Sequence, residues 1–452
     1  MNIQNKQFYD ASVALTKVIL EVMSHQVATN LYIDSESVWR KQGDGSYIKQ
    51  QVNRPLWSVM LHRAEKEFID TKEYKSFIEV IKADDRISPH LDTLVGTRFG
   101  AFRMEARNFA IRPASEFLND DSIKKFNRDI FDRFFLGMEE DILSDEIEFE
   151  NLTPLCGFKM EDTELFLDDD VSIIKLSEKD VLDFFNLGIK LGSSMGGRDH
   201  VHGVHEYAIK TTYKLPKILG DREKLADDED DKYQSNKTEQ SVIDSLRIFK
   251  KGELYPITTI RRGKSFFSIG TSFSFEKPVK HFMNSKYLLK SDETKEFVTF
   301  NREKNETNLP EKNFLSVAIR RFSQANERDN VEDEIIDLMI SAEALFLSSS
   351  GSVSGELQYR LSHRAAMYIE KEVKLQKYVF NFMQEAYKVR SKIVHGSEPK
   401  LPQKADKSKY ESLGDFCNDL DQYLRISIKK AMSSEGISKK IDWDSIIFPE
   451  NG

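Results

Sequence analysis

Cysteine is scarce in this chain of 452 residues: Cys156 and Cys417 are the two present, so neither a disulfide scaffold nor a cysteine-ligated zinc site is supported. No uninterrupted apolar run is long enough to span a bilayer. The start, with Asp10 soon after Met1, lacks the basic leader and apolar stretch of a secretory signal. A cytoplasmic protein without a membrane partner is therefore expected. Positive charge is not in excess either. The formal net charge is -9, so any nucleic-acid partner has to be met by a local patch rather than by the whole surface. What the chain does have is aromatic side chains, 31 of them Phe, and this predicts ordered cores beneath a polar surface. The length exceeds one ordinary core and predicts two or more units.

The first 146 residues read as mainly helical. Val13, Leu15, Val18, Ile19, Val22 and Met23 recur at helical spacing within 8–30, and further helical patterns cover 57–82 and 118–145. From 147 to about 300 the pattern changes to α+β; a sensor or regulatory role for it is what the family resemblance given below implies. Leu165–Leu167 and Val171–Ile174 are strand-like and flank an Asp168–Asp170 turn. Ser177 opens a short helix with Asp180 three places on. Further strands are expected over Val204–Leu215 and Tyr255–Thr259, and over Phe266–Phe275 with Phe267, Ile269, Phe273 and Phe275 facing a core. The acidic run Asp221–Lys232 reads as a solvated insertion, and the polar stretch Asn301–Asn308 as a linker.

Beyond the linker the helical periodicity is the cleanest in the chain. Ile335, Leu338, Met339, Ala342, Leu345 and Phe346 form a wide apolar face, which Ser348–Gly351 ends. A second helix is predicted over Glu356–Glu370, a third from Val373 or Leu375 to Val394, and a last one over Ser408–Met432. Four such helices could form a bundle over 311–432, followed by a tail, 433–452.

The third of these helices ends in Arg390-Ser391-Lys392-Ile393-Val394-His395-Gly396, which joins a permanent cation to a titratable imidazole. Such a pair can grip a phosphate and move a proton. Five residues apart on an ideal helix, Arg390 and His395 differ by about 140° and about 7.5 Å of rise, so an opened helix end or the length of the arginine must bring them together. The plain alternative is a salt-bridged arginine and a helix-capping histidine. Lys388–Lys409 holds seven basic residues against two acids, a local excess suited to an RNA backbone. Tyr387, beside that run, is either a base-stacking platform or a core aromatic.

Residues 311–430 resemble the Apea-like branch of the HEPN superfamily, helical domains of prokaryotic defence and toxin systems marked by an Arg-x4-6-His motif. The resemblance rests on Tyr387–Gly396, on Ala318-Ile319-Arg320-Arg321-Phe322, on Glu343 within Ser341–Phe346, and on Tyr359–Ala365. It implies a fold class of α+β N-terminal region plus C-terminal all-α HEPN-like bundle. It also implies a metal-independent endoribonuclease that acts as a homodimer, without cofactor or metal. On that reading the RNA 2′-OH attacks the adjacent phosphorus, His395 serves as general base or acid, and Arg390 holds the nonbridging oxygens. The products are a 2′,3′-cyclic phosphate and a 5′-OH. Ser391 supports the site; Lys388, Lys392, Arg360 and Arg364 contact RNA, a tRNA or mRNA, with a phage-derived trigger acting through the N-terminal region. Glu343, a carboxylate on an apolar helix, needs a partner among Arg360, Arg364 and Arg390, either orienting the site or joining its chemistry. The competing reading is a noncatalytic RNA- or nucleotide-binding module, or a structural partner in which Arg390 and His395 hold a dimer.

Two other stretches are weighed and set aside. His200-Val201-His202-Gly203-Val204-His205 places two imidazoles on one strand face but reads as an exposed polar segment. Arg261-Arg262-Gly263-Lys264 reads as a solvated hairpin tip, and Gly192–Arg198 lacks the lysine of a phosphate-binding loop.

Overall fold

The computed structural model describes residues 3–28, 33–97, 100–119, 122–194, 199–220, 230–267, 271–273, 287–306, 313–348, 356–402, 404, 408–433, 441 and 443–447. Two compact units emerge. The first comprises Met1–Pro154, Leu176–Ser235 and Ile257–Val279, and the second Leu155–Lys175, Asn236–Pro256 and Lys280–Gly452. The segment 147–300 is thus shared between them rather than forming a body of its own. An α+β region followed by a helical one is the resulting order along the chain.

The first unit contains α1 (Lys6–Ala28), α2 (Trp57–Phe68), α3 (Lys72–Ala83), α4 (Ala106–Ser115), α5 (Arg128–Leu143) and α6 (Glu178–Asn186). Helix α1 packs on α2, α3 and α4. Its Phe8 and Tyr9 rings each lie 5.0 Å from that of Phe135 on α5, at the centre of the unit's aromatic core. The Ser177–Asp180 capping box forms as its spacing predicts: each side chain accepts the other residue's backbone N–H. Strand Glu146–Cys156 pairs antiparallel with Tyr207–Pro216 on one side and Ile260–Gly263 on the other.

Residues 1–146 hold the expected helices, and also strands that the periodicity did not show. Ile33–Lys41 and Tyr47–Pro55 form a long antiparallel hairpin, and Thr93–Thr97 pairs with Gly100–Met104. The hairpin strands carry charges on both faces, so no period-2 apolar pattern announces them. Its turn is nonetheless written in Asp44-Gly45: Gly45 takes φ 82°, and Gln42 N–H donates to the Ser46 carbonyl at 2.7 Å. Arg261–Lys264 is likewise not a solvated tip. Arg262 is a strand residue whose guanidinium meets Asp180 at 2.5 Å and Asp183 at 3.2 Å, and Lys264 meets Glu150 at 2.8 Å. In the former core expectation, Phe267 is fully buried, whereas Ile269 and Phe275 lie outside the described residues, as does the Phe273 side chain.

His90 sits in this unit with 4% of its surface exposed, stacked on Phe267 at 4.9 Å, its Nδ1 3.0 Å from the Arg86 carbonyl. Burial, aided by Lys217, pulls its pKa from 6.5 down to about 4. The folded chain therefore holds His90 neutral where the unfolded chain takes up a proton. Its contribution is present above pH 6.5 and is lost as pH falls toward 4, worth about 3 kcal/mol across that window. Urea titrations at pH 7 and pH 4.5 are expected to show this loss in the parent and a smaller one in His90→Gln. An equal loss in both would assign the acid sensitivity elsewhere.

The second unit is built on α7 (Asp230–Phe249), whose residues from Asn236 belong to it, with α8 (Thr294–Glu306), α9 (Phe314–Ala325), α10 (Val331–Leu347), α11 (Leu357–Ile369), α12 (Val373–Val394), α13 (Leu413–Ser433) and α14 (Trp443–Ile447). Helix α10 is apolar on most of its circumference, and it packs against α9, α11, α12 and α13. Asp337, on the same helix, is almost buried. It accepts there from Arg321 at 2.9 Å and Arg328 at 2.5 Å, the pairing that a buried carboxylate requires. The helices expected at 356–370 and 373–394 are present with those bounds or nearly so.

Three features of this unit differ from expectation. Asn301–Glu306 is the end of α8, not a linker, and Asn301 is buried against Ser245; residues 307–312 lie outside the described residues. The last long helix starts at Leu413 rather than Ser408, because Ser412 and Asp415 make a reciprocal cap there. Within 433–452, α14 inserts Trp443 into the core beside Phe346 and Tyr368. Of the acidic run, 221–229 lies outside the described residues, and α7 begins at Asp230. No described helix is long and apolar enough to cross a membrane.

Candidate functional site

Helix α12 carries the Arg-x4-His pair, and its ending decides where the histidine goes. Gly396 adopts φ 68°, the left-handed conformation that a β-carbon disfavours. Its N–H donates to the Ile393 carbonyl at 2.9 Å, and that of Ser397 to the Lys392 carbonyl at 2.9 Å, the two bonds of a Schellman termination. His395 is thereby the C-cap of the helix, bonded through its own N–H to the Ser391 carbonyl at 3.1 Å, with its side chain exposed. One turn earlier Val389 and Ala386 anchor α12 in the core, which leaves Arg390 at the margin of the bundle.

Arg390 is half-buried. Its Nη2 lies 4.0 Å from Oε1 of Glu343 on α10, and its Nε is buried without a hydrogen-bond partner. Of the three arginines expected to meet Glu343, it is Arg390 that stands within ion-pair distance. Burial raises the Glu343 pKa, and the Arg390 charge opposes that shift. A contact of 4.0 Å is a loose one for a guanidinium and carboxylate, so the cation keeps donor capacity toward a further anion.

The remaining expected residues fall into two groups. Lys388 and Lys392 are exposed on α12, Lys388 bonded to Glu385 at 2.8 Å, and Ser391 is half-buried between them. Tyr387 packs against the core and so has one side committed to the bundle. Arg360 is half-buried on α11. Arg364 is engaged structurally: it donates to the Phe346 carbonyl at 2.8 Å and lies 4.8 Å over the Trp443 ring. Tyr359 on α11 is stacked on His363, edge-on to Phe380, and 52% exposed.

His200 and His202 do face the same way, with His202 Nε2 3.2 Å from His200 Nδ1 and His200 Nε2 3.1 Å from the Ser46 hydroxyl. Among the described residues no group of three or more His, Cys, Asp and Glu is placed to hold a metal ion.

One polar cluster escaped the sequence reading. Ser241, Asp244 and Ser245 on α7 face Asn301, Lys304 and Asn305 on α8. Ser241 donates to Asn305 at 2.6 Å, Ser245 to Asn301 at 2.7 Å, and Lys304 to Ser241. The signal was the repeated i, i+3, i+4 spacing of polar residues on two helices, hidden because neither helix was recognised.

Comparison of the chain with protein-family models, with curated protein sequences and with solved structures finds no match.

Proposed function

We propose that the second unit is a metal-independent endoribonuclease, with Arg390 and His395 as its working pair. The observation that carries this reading is Arg390 itself: a half-buried guanidinium, loosely paired with Glu343, with a buried donor unmet and an exposed imidazole at the end of the same helix. A phosphodiester supplies the oxygens such a cation lacks. The 2′-OH of the RNA then attacks phosphorus and the 5′-oxygen leaves. His395 takes the proton from the first or returns one to the second, and Arg390 stabilises the charge that grows on the nonbridging oxygens. The resemblance to HEPN domains supports the same assignment and adds a homodimer whose two pairs share one cleft. Val394, next to His395, is 52% exposed, apolar surface that a second copy would cover. Action on tRNA or mRNA in the cytoplasm, released by a phage-derived trigger, belongs to this proposal.

One observation favours the noncatalytic alternative. No described residue hydrogen-bonds the His395 ring, whereas a general base is ordinarily oriented by a third group. Total RNA incubated with the chain in EDTA, with the new ends mapped, separates the two. Cyclic-phosphate ends at defined positions support the nuclease; RNA retained on the protein without scission supports the binding module.

Glu343→Gln is expected to leave stability within about 1 kcal/mol, because the ion pair is loose and partly solvated. Cleavage should slow by about tenfold to a hundredfold as Arg390 loses its alignment. A drop in melting temperature that accounts for the whole activity loss would reassign Glu343 to the scaffold.

A further inference from the structure

The second unit holds an open cleft of about 920 Å³, lined by α7, α8, α9 and the hairpin Glu164–Lys175, none of them the helix that carries Arg390. Its volume lies within the range of about 300–1,000 Å³ usual for small-molecule sites. The lining has three chemically distinct parts. Lys237, Arg302 and Arg320 are exposed cations on the rim. The floor is the hydrogen-bonding cluster of Ser241, Asn301, Lys304 and Asn305 with Asp244. Leu167, Val171, Val242 and Ile319 supply apolar wall. Asp168, Asp244 and Glu306 are the acids that face these cations.

We propose that this cavity binds a free nucleoside phosphate. The argument is one of matching parts. An inorganic anion would use the cations and leave most of the volume and the carboxamides idle. An apolar metabolite would cover the polar floor around Lys304 and Asp244 and use none of its donors and acceptors. A nucleotide needs all three surfaces at once: cations for its phosphates, carboxamide, hydroxyl and carboxylate groups for ribose and base edges, and aliphatic walls for the base. Burial supports the picture. It draws the Lys304 ammonium down to about 8 against the pull of Asp244, and pushes the Asp244 carboxyl up. This ligand is separate from the RNA proposed at Arg390 and does not depend on that proposal.

Calorimetric titration of the full chain with ATP, AMP, adenosine and inorganic phosphate tests the assignment. Saturable binding of a nucleotide is expected, with adenosine and phosphate each at least about tenfold weaker. Arg302→Ala combined with Arg320→Ala should weaken nucleotide binding by about tenfold or more, since both side chains are exposed at the rim and their loss leaves the helices intact. Lys304→Gln, checked by its melting temperature, should do the same from inside; the rim variant decides if that one fails to fold. His395→Ala should bind as the parent does. No binding of either nucleotide at millimolar concentration overturns the proposal, as does equal affinity for inorganic phosphate. Binding that survives the rim variant but is lost with His395→Ala would move the ligand to the Arg390 site and overturn it equally.

Discussion

Replacing His395 with alanine is expected to slow RNA cleavage by about 10²–10⁴-fold, the usual worth of a positioned general acid or base, while leaving the melting temperature of the chain unchanged. The second half of that expectation follows from the helix end. His395 takes part in the fold through its backbone, whose N–H reaches the Ser391 carbonyl, and alanine keeps that bond; the ring itself is exposed. Substitution at such a position normally moves stability by less than about 0.5 kcal/mol. Rate and stability should thus separate cleanly, which few active-site substitutions allow. Arg390→Lys is the companion measurement. Lysine keeps the charge but loses the planar fork, so a role in gripping two phosphate oxygens predicts a large loss of rate, and a role as a bare counter-charge to Glu343 predicts a small one. Cleavage by His395→Ala within about tenfold of the parent would remove His395 from the chemistry. The expected size also makes background nuclease easy to recognise, because a contaminant would be indifferent to the substitution.

The parts of this molecule that were legible in the sequence are those where one physical rule acts alone. Helices α10 and α12 bury a continuous stripe, and their apolar spacing declares them. The Ser177–Asp180 cap and the Gly396 termination are local, satisfied by neighbours in the chain, and short motifs report them well. Elements whose stability comes from distant partners were harder to see. The hairpin Ile33–Pro55 is polar on both faces, so its evidence was confined to the Asp44-Gly45 turn. Helix α7 mixes buried Ile243, Leu246, Ile248 and Phe249 with a polar row, α8 sets another beside Phe297, and the rows make sense only when the two meet. Of the candidate site, the order of Arg390, His395 and Gly396 along α12 was readable, as was the need of Glu343 for a cation. Which arginine would answer depended on the packing of α10 against α12, a tertiary fact, and Arg364 turned out to serve the Phe346 carbonyl and Trp443 instead.

Arg247 shows how far such tertiary demands reach. It is 1% exposed on α7, deeper than any other charged side chain among the described residues. Its guanidinium donates to the Ser323 carbonyl at 3.0 Å, the Ser323 hydroxyl at 2.8 Å, the Leu254 carbonyl at 3.1 Å and Glu327 at 3.1 Å. One side chain therefore ties the C-terminal end of α9 to the turn after α7, meeting the Ser323 carbonyl in the last turn of α9, where the intrahelical donors have run out, and the Leu254 carbonyl beyond α7. Arg247→Ala removes four charge-assisted bonds together and leaves two buried carbonyl groups and a carboxylate in want of donors. A loss of about 3–5 kcal/mol is expected, the range for breaking a buried ionic cluster by deleting one partner. The urea midpoint should fall with little change in slope, provided the two units unfold as separate transitions and the second is the one displaced. Arg247→Lys tests the geometry behind the number: a single ammonium cannot span Ser323 and Leu254 together, so most of the loss should remain. Near-parent stability of Arg247→Lys would mean that charge, rather than the reach of the fork between α9 and the turn after α7, holds this end of the bundle.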